Sequence, residues 1–445
     1  MTVAGSDCGG GAGIQADIKT FSALGVFGCS VITVITAQNT SEVIKIFPLS
    51  SEMISSQFKA VLSDFKVDAV KIGMVYDAEI MNEVCRRLKN ADFPIIVDPL
   101  LFSGTGFDLI LKDDLECFRE LIIPISYLLT PNLLEAEIIS GIKIDSEDAL
   151  IAAANIILDM GAKNVIIKGG HSLTKNITDF LLTQRRKGVR IERERLKTDM
   201  LHGSGCNFSA AVTAYIAQQT QLENACWLAN EYVYSGIAGA IRVGRGSSVV
   251  DPSVVLHSNS DRFLVLRDLE TAVNDIESIE NFGLLIPETQ TNIAYSVSQP
   301  VGLSDVAAVK GRIVKVGNRA KVVDRIHFGA SKHVGSSILS YMKKNPLMRS
   351  AINIRYDKRM LEICERNYSV SSYDRLAEPQ KEKETEGMSV DWGVRKAVEN
   401  NPKLEIIYHI GDMGKEPMIL VFDRNPVALV RKVDSILNKY LAETA

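Results

Sequence analysis

The stretch His202-Gly203-Ser204-Gly205-Cys206 follows a charged segment and precedes a run of small residues, Asn207 to Gln218. This run has helical spacing, and the glycines before it let the backbone approach a ligand closely. The first N–H groups of a helix lack partners within the helix and carry partial positive charge. We therefore expect the backbone N–H groups of Gly203, Ser204 and Gly205 to form an anion hole, suited to a phosphoryl group in transfer.

Cys206 would lie at the mouth of this hole. The field of the helix N-terminus would there favour the thiolate over the thiol. The same pentapeptide is equally typical of a glycine-containing turn before a core helix that buries a cysteine. The opening of the chain favours the anion hole, because a second glycine-rich loop occurs there.

This second loop has five glycines between Gly5 and Gly13, after a short strand at Thr2 to Ala4 and before a helix from Ile14 to Leu24. Such a loop can wrap around a ligand. Asp17, near the start of the helix, is either a charge that stabilises the helix dipole or an acceptor for a substrate. Its position alone favours the first interpretation.

Composition limits the class of protein. A chain of 445 residues predicts two or three domains at about 150 residues each. It has no apolar run of about 18 residues and no secretory-type start, so we expect a soluble cytoplasmic protein. Seven scattered cysteines lack CxxC or metal-ligand spacing, which predicts a reducing compartment and no zinc. With 50 basic and 54 acidic residues and no basic tract, we expect small-molecule partners rather than nucleic acid or membrane.

Apolar, strand-like runs alternate with helical patterns through the first half, which predicts an α/β fold with a doubly wound, mostly parallel sheet. Polar side chains follow or end these strands: Gln38, Lys71 with Met74, Asp98, Asn132 with Glu135, and Lys168. Open α/β sheets bind ligands at the carboxyl ends of their strands, so we expect these side chains at one edge, beside both loops. Asp98 or Glu135 alone is more typical of a capping or surface carboxylate. Together they predict a magnesium and phosphate site.

The pattern changes near Ser258 to Asp261, which divides the chain into domains 1–257 and 262–445, the second a smaller α/β domain. In the second domain, Ile279 to Ile286 and Val306 to Val316 have strand-like patterns. The charged stretch Arg375 to Gly387 predicts a solvated loop, with a mobile lid as the less favoured alternative.

A strand-to-helix turn in this domain contains His333, and the strand-like run Val306 to Val316 contains Gly311 and Arg312. The turn is a second site candidate, since it combines small residues with an imidazole and basic groups. From the residues alone, a capping or core histidine is the commoner interpretation of His333.

The first half closely resembles the hydroxymethylpyrimidine and phosphomethylpyrimidine kinases of the ribokinase-like superfamily over about residues 1 to 255. The resemblance is carried by these motifs: Ala4-Gly5-Ser6-Asp7, Gly11-Ala12-Gly13-Ile14-Gln15-Ala16-Asp17, Ala37-Gln38-Asn39-Thr40, Lys71-Ile72-Gly73-Met74, Thr130-Pro131-Asn132, Lys168-Gly169-Gly170-His171 and His202-Gly203-Ser204-Gly205-Cys206. It implies that Cys206 is catalytic and that Gly203, Ser204 and Gly205 form the anion hole.

The same resemblance assigns the remaining groups of the first site. Ala12, Asp17, Gln38 and Met74 would hold the aminopyrimidine and its hydroxymethyl group. Asp98 and Glu135 would serve Mg2+, and Lys168 with Asn132 would serve the phosphates of ATP.

The chain departs from the family pattern in three places. It begins inside the first strand, so we expect that strand to be short or the N-terminus to be incomplete. In the first loop, Cys8 stands where the family usually has proline or serine, and Gly9 stands where it usually has serine. Ser204 stands where threonine is common.

The second half resembles the ThiN-type thiamine-phosphate synthase domain over about residues 262 to 445. The motifs are Gly311-Arg312-Ile313-Val314, Phe328-Gly329-Ala330-Ser331-Lys332-His333, Arg349-Ser350-Ala351-Ile352-Asn353-Ile354 and Gly411-Asp412-Met413-Gly414-Lys415-Glu416-Pro417-Met418. The resemblance implies a catalytic pair, Arg312 and His333, and so reverses the first interpretation of His333. Similar domains elsewhere act as ligand sensors attached to DNA-binding modules, and no such module is evident in this sequence.

Together the two resemblances imply a bifunctional enzyme. The first half would use ATP and Mg2+ to phosphorylate 4-amino-5-hydroxymethyl-2-methylpyrimidine twice. The second would couple the diphosphate with thiazole phosphate, giving thiamine phosphate and pyrophosphate. Two alternatives remain: a kinase whose second domain only senses ligands, and a pyridoxal kinase, which shares the fold and the anion hole. We expect a homo-oligomer on symmetry grounds and by analogy with the family.

Overall fold

A computed structural model gives the fold of residues 1–102, 109–170, 176–196, 198, 201–375, 388–399, 401–412 and 416–444. The chain divides into two compact units, Met1–Leu256 and His257–Ala445. Among the described residues, no helix has the length and apolar character needed to span a bilayer.

The first unit is built on a nine-stranded sheet with the order β3-β2-β1-β4-β5-β6-β7-β8-β9. Its strands are β1 Thr2–Asp7, β2 Ser30–Gln38, β3 Val43–Pro48, β4 Val70–Ile72, β5 Ile95–Val97, β6 Leu128–Leu129, β7 Val165–Ile167, β8 Asn176–Leu182 and β9 Gly188–Glu194. The six central strands, β2, β1, β4, β5, β6 and β7 in sheet order, pair in parallel. At the edges, β3 pairs antiparallel with β2, and β8 and β9 continue the sheet antiparallel from β7. The mostly parallel sheet predicted from the sequence is therefore confirmed.

Helices cover both faces of this sheet, which is why its central strands are short apolar runs. The helices are α1 Gly13–Ala23, α2 Ser51–Asp64, α3 Ala78–Leu88, α4 Leu115–Cys117, α5 Leu133–Ser140, α6 Glu147–Asp159, α7 Ser204–Ala217 and α8 Leu222–Ala238. Side chains of α2, α3, α5 and α6 pack in one core, and those of α7 and α8 pack in another. β10 Leu201–His202, directly before α7 in the chain, pairs in parallel with β11 Ser248–Val249, which follows α8, and so brings residues 248–249 close to the start of α7.

The second unit is built on a seven-stranded sheet with the order β16-β13-β12-β17-β20-β19-β18. Its strands, with those of a separate hairpin formed by β14 and β15, are β12 Ile293–Ser296, β13 Val306–Val309, β14 Ile313–Val316, β15 Arg319–Val322, β16 Ile326–Phe328, β17 Ser350–Arg355, β18 Val370–Ser372, β19 Ile406–His409 and β20 Met418–Asp423. All pairs in the large sheet are antiparallel except β18 with β19.

Helices again lie on both faces of this sheet. They are α9 Val254–Ser278, α10 Lys332–Met342, α11 Lys358–Asn367, α12 Met388–Val398 and α13 Pro426–Thr444. Side chains of α9, α11 and α13 pack in one core. Side chains of α10 and α12 pack in a second core, against the other face.

Two strand predictions for this unit are wrong. The run Val306 to Val316 is divided between β13 and β14, because Gly311 and Arg312 adopt left-handed φ angles of 78° and 75°. Within Ile279 to Ile286, residues Phe282–Leu285 form a 3₁₀ turn. In that turn Gly283 lies so close to the backbone of Asn318 that a Cβ atom would be 2.8 Å from its carbonyl carbon.

Candidate functional site

The two glycine-rich loops of the first unit are in direct contact. Gly203 precedes α7 with a φ of 89°, and a Cβ atom built on it would lie 2.0 Å from the carbonyl oxygen of Gly11. A Cβ atom on Gly11 would in turn lie 2.5 Å from Cδ2 of His202. Glycine is required at position 203, where the backbones of the two loops meet, and a side chain at position 11 would displace the imidazole ring of His202.

Asp7, at the end of β1, organises the opening loop. Its carboxylate accepts three backbone hydrogen bonds at 2.7, 3.0 and 2.8 Å, from the N–H groups of Gly9, Gly11 and Ala12. It also lies 3.4 Å from Nε2 of His202 in the other loop. Burial raises the pKa of Asp7, but the hydrogen bonds from His202, Gln38 and the backbone outweigh it and lower the pKa. This role of Asp7 was not predicted from the sequence, although an aspartate two residues before a glycine is typical of such a turn.

Cys206 is buried in the first turn of α7, with 4% of its surface exposed. Burial raises the pKa of its thiol to about 11, although the charge of Lys71 and a hydrogen bond from the N–H of Gly13 act in the opposite direction. The expected thiolate is therefore wrong: desolvation of the charged form outweighs the field of the helix, and the thiol keeps its proton at neutral pH. The alternative interpretation of the pentapeptide, a glycine-containing turn before a core helix that buries a cysteine, describes this position correctly.

Asp17 and Lys71 form an ion pair with no exposed side-chain surface. Nζ of Lys71 is 3.0 Å from both carboxylate oxygens, and the hydroxyl of Thr2 donates to Oδ2 at 2.6 Å. Burial lowers the pKa of Lys71, but Asp17 and other nearby negative groups outweigh it and raise the pKa, so the ammonium stays charged. The predicted contact of Asp17 with the aminopyrimidine does not fit this placement, because its carboxylate has no free surface.

A cation lies beside the N-terminus of α7. Nζ of Lys168 is 3.2 Å from Oδ1 of Asp98, and a Cβ atom built on Gly205 would lie 3.3 Å from that Nζ and 3.7 Å from Oδ2 of Asp98. Asp98 also accepts hydrogen bonds from the hydroxyls of Thr130 and Ser209, each at 3.3 Å. Side chains that follow different strands and the start of α7 therefore share one small volume.

Glu135 and Asn132 form the N-terminal cap of α5. The side chain of Asn132 accepts from the N–H of Glu135 at 2.9 Å, and the carboxylate of Glu135 accepts from the N–H of Asn132 at 2.8 Å. The capping interpretation of Glu135 is thus confirmed. Burial raises its pKa to about 7, while Lys168 lowers the pKa and Asp98 raises it.

Asp98 and Glu135 are the carboxylates near Lys168. Among the described residues, no group of three or more His, Cys, Asp or Glu side chains could hold a metal. Protein sites for Mg2+ often supply only one or two carboxylates, with phosphate oxygens and water as the other ligands. The pair therefore fits a magnesium ion shared with the phosphates of ATP. A buried carboxylate with a raised pKa beside another carboxylate is also a place where a cation is favourable.

The other predicted substrate residues surround the opening loop. Ala12 and Gln38 are partly exposed, and Gln38 hydrogen-bonds to Asp7. Met74 is buried, and its Sδ would be 3.2 Å from a Cβ atom on Gly5, so it packs directly against the loop backbone.

The second unit contains a cavity of about 830 Å³. Its lining includes Val334 and Leu420, which belong to the core beneath α10 and α12, so the cavity lies on that face of the sheet. The charged, imidazole and amide side chains in its wall are three cations, two imidazoles, two carboxylates and three amides: Arg312, Lys332, Arg375, His333, His409, Glu288, Glu416, Gln290, Asn292 and Asn353. The two predicted catalytic residues therefore line one cavity.

Arg312 is held in an unusual backbone conformation, with a φ of 75°. Its Nη1 donates to the carbonyl of Thr289. The carboxylate of Glu416 accepts from the N–H groups of Glu288 and Thr289 at 2.9 and 3.0 Å and from the hydroxyl of Thr289 at 2.8 Å. Glu416 thus fixes the segment to which Arg312 bonds. The sequence motif contained Glu416 but gave it no role, and residues 413–415 of that motif lie outside the described residues.

His333 is the second residue of α10, and its side chain is exposed at the cavity wall. Its carbonyl accepts from the hydroxyl of Ser337 at 2.9 Å. It is therefore not a core histidine, and Ser331 rather than His333 occupies the N-cap position of α10.

Comparisons with known proteins match both units. The family model for phosphomethylpyrimidine kinase matches residues 7–251, and that for thiamine-phosphate synthase ThiN matches residues 268–435. The chain is 34% identical over 444 residues to the bifunctional thiamine biosynthesis protein ThiDN of Methanocaldococcus jannaschii, which covers 99% of this chain and 98% of that protein. It is 42% identical over 247 residues to the hydroxymethylpyrimidine/phosphomethylpyrimidine kinase of Bacillus subtilis, covering 55% of this chain and 91% of that enzyme.

One similar solved structure is the ADP complex of Bacillus subtilis pyridoxal kinase. It has a TM-score of 0.53 and 31% sequence identity, and the match covers 57% of this chain and 97% of that one. The fold of the first unit is thus shared between kinases of two substrate classes.

Proposed function

The chain belongs to the phosphomethylpyrimidine kinase family and carries a ThiN-type synthase domain, and we propose that it catalyses successive steps of thiamine biosynthesis. The first half phosphorylates 4-amino-5-hydroxymethyl-2-methylpyrimidine and then its monophosphate. The second half couples the diphosphate to thiazole phosphate and releases pyrophosphate. One observation supports this: in one unit two glycine-rich loops meet beside Lys168, and the other unit has its own cavity lined by Arg312 and His333.

In the kinase half, we assign the transferring phosphoryl group to the N–H groups of Gly203, Ser204 and Gly205. Lys168 lies beside that position and would balance the charge of the ATP phosphates, with the backbone around Asn132 close by. Asp98 and Glu135 would hold a magnesium ion that neutralises phosphate charge.

Cys206 orients the attacking hydroxyl rather than removing its proton. Its thiol is protonated at neutral pH, so it can donate a hydrogen bond but is a poor proton acceptor. Most of the rate enhancement then comes from placing the hydroxyl against the phosphoryl group. We assign Ala12, Gln38 and Met74 to the aminopyrimidine, and Asp17 to holding the buried Lys71 in place.

In the synthase half, Arg312 binds the pyrophosphate of the pyrimidine diphosphate, because a guanidinium forms paired hydrogen bonds with phosphate oxygens. The C–O bond to pyrophosphate breaks and leaves a carbinyl cation, which the amine of the pyrimidine ring stabilises. His333 donates a proton to the leaving group. The ring nitrogen of thiazole phosphate then forms the new C–N bond.

The wider assignments follow from this function. Residues 1–257 and 262–445 act as separate kinase and synthase domains, the partners are small molecules, and the enzyme forms a homo-oligomer. We place it in the cytoplasm, where all seven cysteines would remain the free thiols seen in the structure.

The test is a single incubation of purified protein with ATP, Mg2+, the pyrimidine alcohol and thiazole phosphate, followed by chromatography. Thiamine phosphate should form, and Arg312→Ala and His333→Ala should stop the sequence at pyrimidine diphosphate. Accumulation of the diphosphate in the wild type would refute the synthase assignment, and unchanged coupling in both variants would refute those two roles. Faster ATP consumption with pyridoxal than with the pyrimidine alcohol would refute the kinase substrate.

A further inference from the structure

Arg375 is a buried cation in the wall of the synthase cavity. It lies three residues after β18, and only 7% of its surface is exposed. Its Nε is sealed from solvent, and no described residue accepts its hydrogen. The ion pairs found among the described residues include none with Arg375.

The position of Arg375 is set by the packing of its neighbour Tyr373. A Cβ atom built on Gly393 in α12 would lie 2.3 Å from the Tyr373 ring, so the ring rests directly on the helix backbone. The N–H of Tyr373 also donates to the carbonyl of Tyr408 at 3.2 Å, which continues the pairing of β18 with β19. The segment before Arg375 is therefore anchored on two sides.

A buried guanidinium N–H without an acceptor is unfavourable, because burial removes its hydration and nothing replaces it. In a cavity wall, an anionic ligand can supply the missing acceptors. Guanidinium groups suit phosphate well, since their N–H groups match its oxygens in pairs. The sequence placed Arg375 in a solvated loop, and that prediction is wrong for this residue.

Arg375 and Arg312 follow strands near opposite edges of the sheet. Arg312 follows β13, the second strand from one edge, and Arg375 follows β18, the strand at the other edge. Five strand spacings separate β13 from β18, or about 24 Å at about 4.8 Å each. Both side chains nevertheless line one cavity, whose wall also includes the buried amides of Asn292 and Asn353. The cavity thus has two cationic ends.

The proposed reaction brings together two anionic substrates, one with a pyrophosphate and one with a phosphate monoester. We propose that Arg375 binds the phosphate monoester of the thiazole substrate, at the end of the cavity opposite to Arg312. This inference rests on the proposed synthase function. It assigns each anion to its own cation and leaves the two reacting rings between them.

His409 lies at the same end as Arg375. It ends β19, beside β18, and its ring centre is 5.3 Å from that of Tyr373. The N–H of Gly411 donates to Nδ1 of His409 at 3.2 Å, which fixes the orientation of the ring at this end of the cavity.

The experiment uses the full chain, preformed pyrimidine diphosphate, and either thiazole phosphate or its dephosphorylated alcohol. For Arg375→Gln, we expect KM for thiazole phosphate to rise about tenfold or more, because a hydrogen-bonded charge is lost. KM for the diphosphate should stay within about twofold. The ratio of kcat/KM for thiazole phosphate to kcat/KM for its alcohol should fall about tenfold, because the alcohol has no phosphate for the guanidinium to bind. The melting temperature should not fall, because no described partner is lost.

Arg366→Gln is the matched control, since Arg366 is exposed and pairs with Glu443. It should leave both KM values and the substrate preference unchanged. A rise in KM for the diphosphate instead would place Arg375 on the pyrophosphate and overturn the assignment. A lower melting temperature with an unchanged phosphate preference would show a structural role and also overturn it.

Failure of the proposed function would be visible separately, as a wild type that makes no thiamine phosphate. Calorimetric titration of thiazole phosphate into the full chain then decides the role of Arg375. Binding by the wild type that weakens about tenfold in Arg375→Gln supports the inference. Equal binding by both proteins, or none by the wild type, overturns it.

Discussion

The two sites hold positive charge in different ways. In the kinase cleft, Lys71 has a carboxylate at 3.0 Å and Lys168 has one at 3.2 Å, and we have assigned the transferring phosphoryl group to backbone N–H groups. In the synthase cavity, Arg375 has no described ion-pair partner, and Arg312 bonds to a backbone carbonyl. The first site therefore depends on backbone shape and the second on side-chain charge. We expect an added methyl group to damage the first site most and a lost charge to damage the second.

The largest effect should come from Gly203→Ala. The added Cβ would meet the carbonyl oxygen of Gly11 at 2.0 Å and force the two loops apart. Loss of one oxyanion-hole donor commonly costs about 10² to 10³ in rate, so we expect kinase kcat to fall by about 10³. Coupling of preformed pyrimidine diphosphate should be unchanged. Gly141→Ala is the control, because Gly141 also has a left-handed φ, of 74°, but has open space around it. Equal losses of kinase kcat in both variants would show that the contact between the two loops is unimportant.

Lys168→Ala should have the next largest effect. Its Nζ is a cation beside Gly205, and it also separates the charges of Asp98 and Glu135. We expect kinase kcat to fall about 10²-fold, measured with saturating ATP and Mg2+. Lys187→Ala, in the exposed β8–β9 turn, should be neutral. A loss confined to the KM of the pyrimidine alcohol would contradict the phosphate role of Lys168.

Glu416→Ala should sharpen the comparison from the synthase side. The segment at Thr289 would lose the three hydrogen bonds that fix it, and Arg312 would lose its fixed carbonyl acceptor. We expect kcat/KM for the pyrimidine diphosphate to fall about tenfold, with partial recovery in Glu416→Gln, which keeps one acceptor oxygen. KM for thiazole phosphate and the kinase rate should not change. Glu280→Gln, at an exposed position, is the control. An equal loss of kcat/KM in this variant would contradict the role of Glu416 in positioning Arg312.

Cys206→Ser should have a smaller effect. The thiol has a pKa raised to about 11 and acts through its hydrogen, which a hydroxyl can also supply. We expect kinase kcat to fall by less than about tenfold, because one neutral hydrogen bond is exchanged for another. Between pH 7 and pH 9, the wild-type rate should show no rising limb due to this thiol. A rate that rises with pH in the wild type but not in Cys206→Ser would instead identify a thiolate base.

The smallest expected effect concerns stability and Glu135. Its pKa is 4.5 ordinarily and about 7 in the folded protein, so the folded state keeps a proton that the unfolded state releases between these values. The free energy of unfolding of the kinase half should therefore decrease as pH rises from about 4.5 to about 7 in the absence of Mg2+. Glu135→Gln should flatten this decrease. With Trp392 replaced by Phe, the fluorescence of Trp227 reports on unfolding of the first unit alone. If the free energy of unfolding varies with pH in the same way with and without Glu135→Gln, the raised pKa of Glu135 is contradicted.

Much of the first unit follows from local sequence. The sequence pattern predicts a helix from Ala78 to Leu88, and the structure has a helix with these bounds and with Asp77 as its N-cap. Apolar runs predict strands at Val31 to Ala37, Ala69 to Gly73, Pro94 to Val97 and Asn164 to Lys168, where β2, β4, β5 and β7 lie. Such runs are buried on both faces, so their pattern and their fold agree. The contact between two glycine-rich loops was also expected, because both precede helices at the same edge of the sheet.

The features that the sequence missed depend on contacts between distant residues. The charge state of Cys206 depends on how deeply α7 is buried, and the pairing of Asp17 depends on Lys71, 54 residues away. The left-handed conformation at Arg312 interrupts a run with strand-like composition. Arg375 lies in a charged stretch, and only the cavity around it shows that it is buried.

The central claim is that one chain contains two separable active sites acting in sequence. Thiamine phosphate formed from ATP, Mg2+, the pyrimidine alcohol and thiazole phosphate tests it when Gly203→Ala and Arg312→Ala proteins are mixed. Each variant alone should yield almost none, and the mixture should restore formation, because each protein supplies the site that the other lacks. A mixture as inactive as either variant alone, when each still shows its remaining partial activity, would contradict the claim.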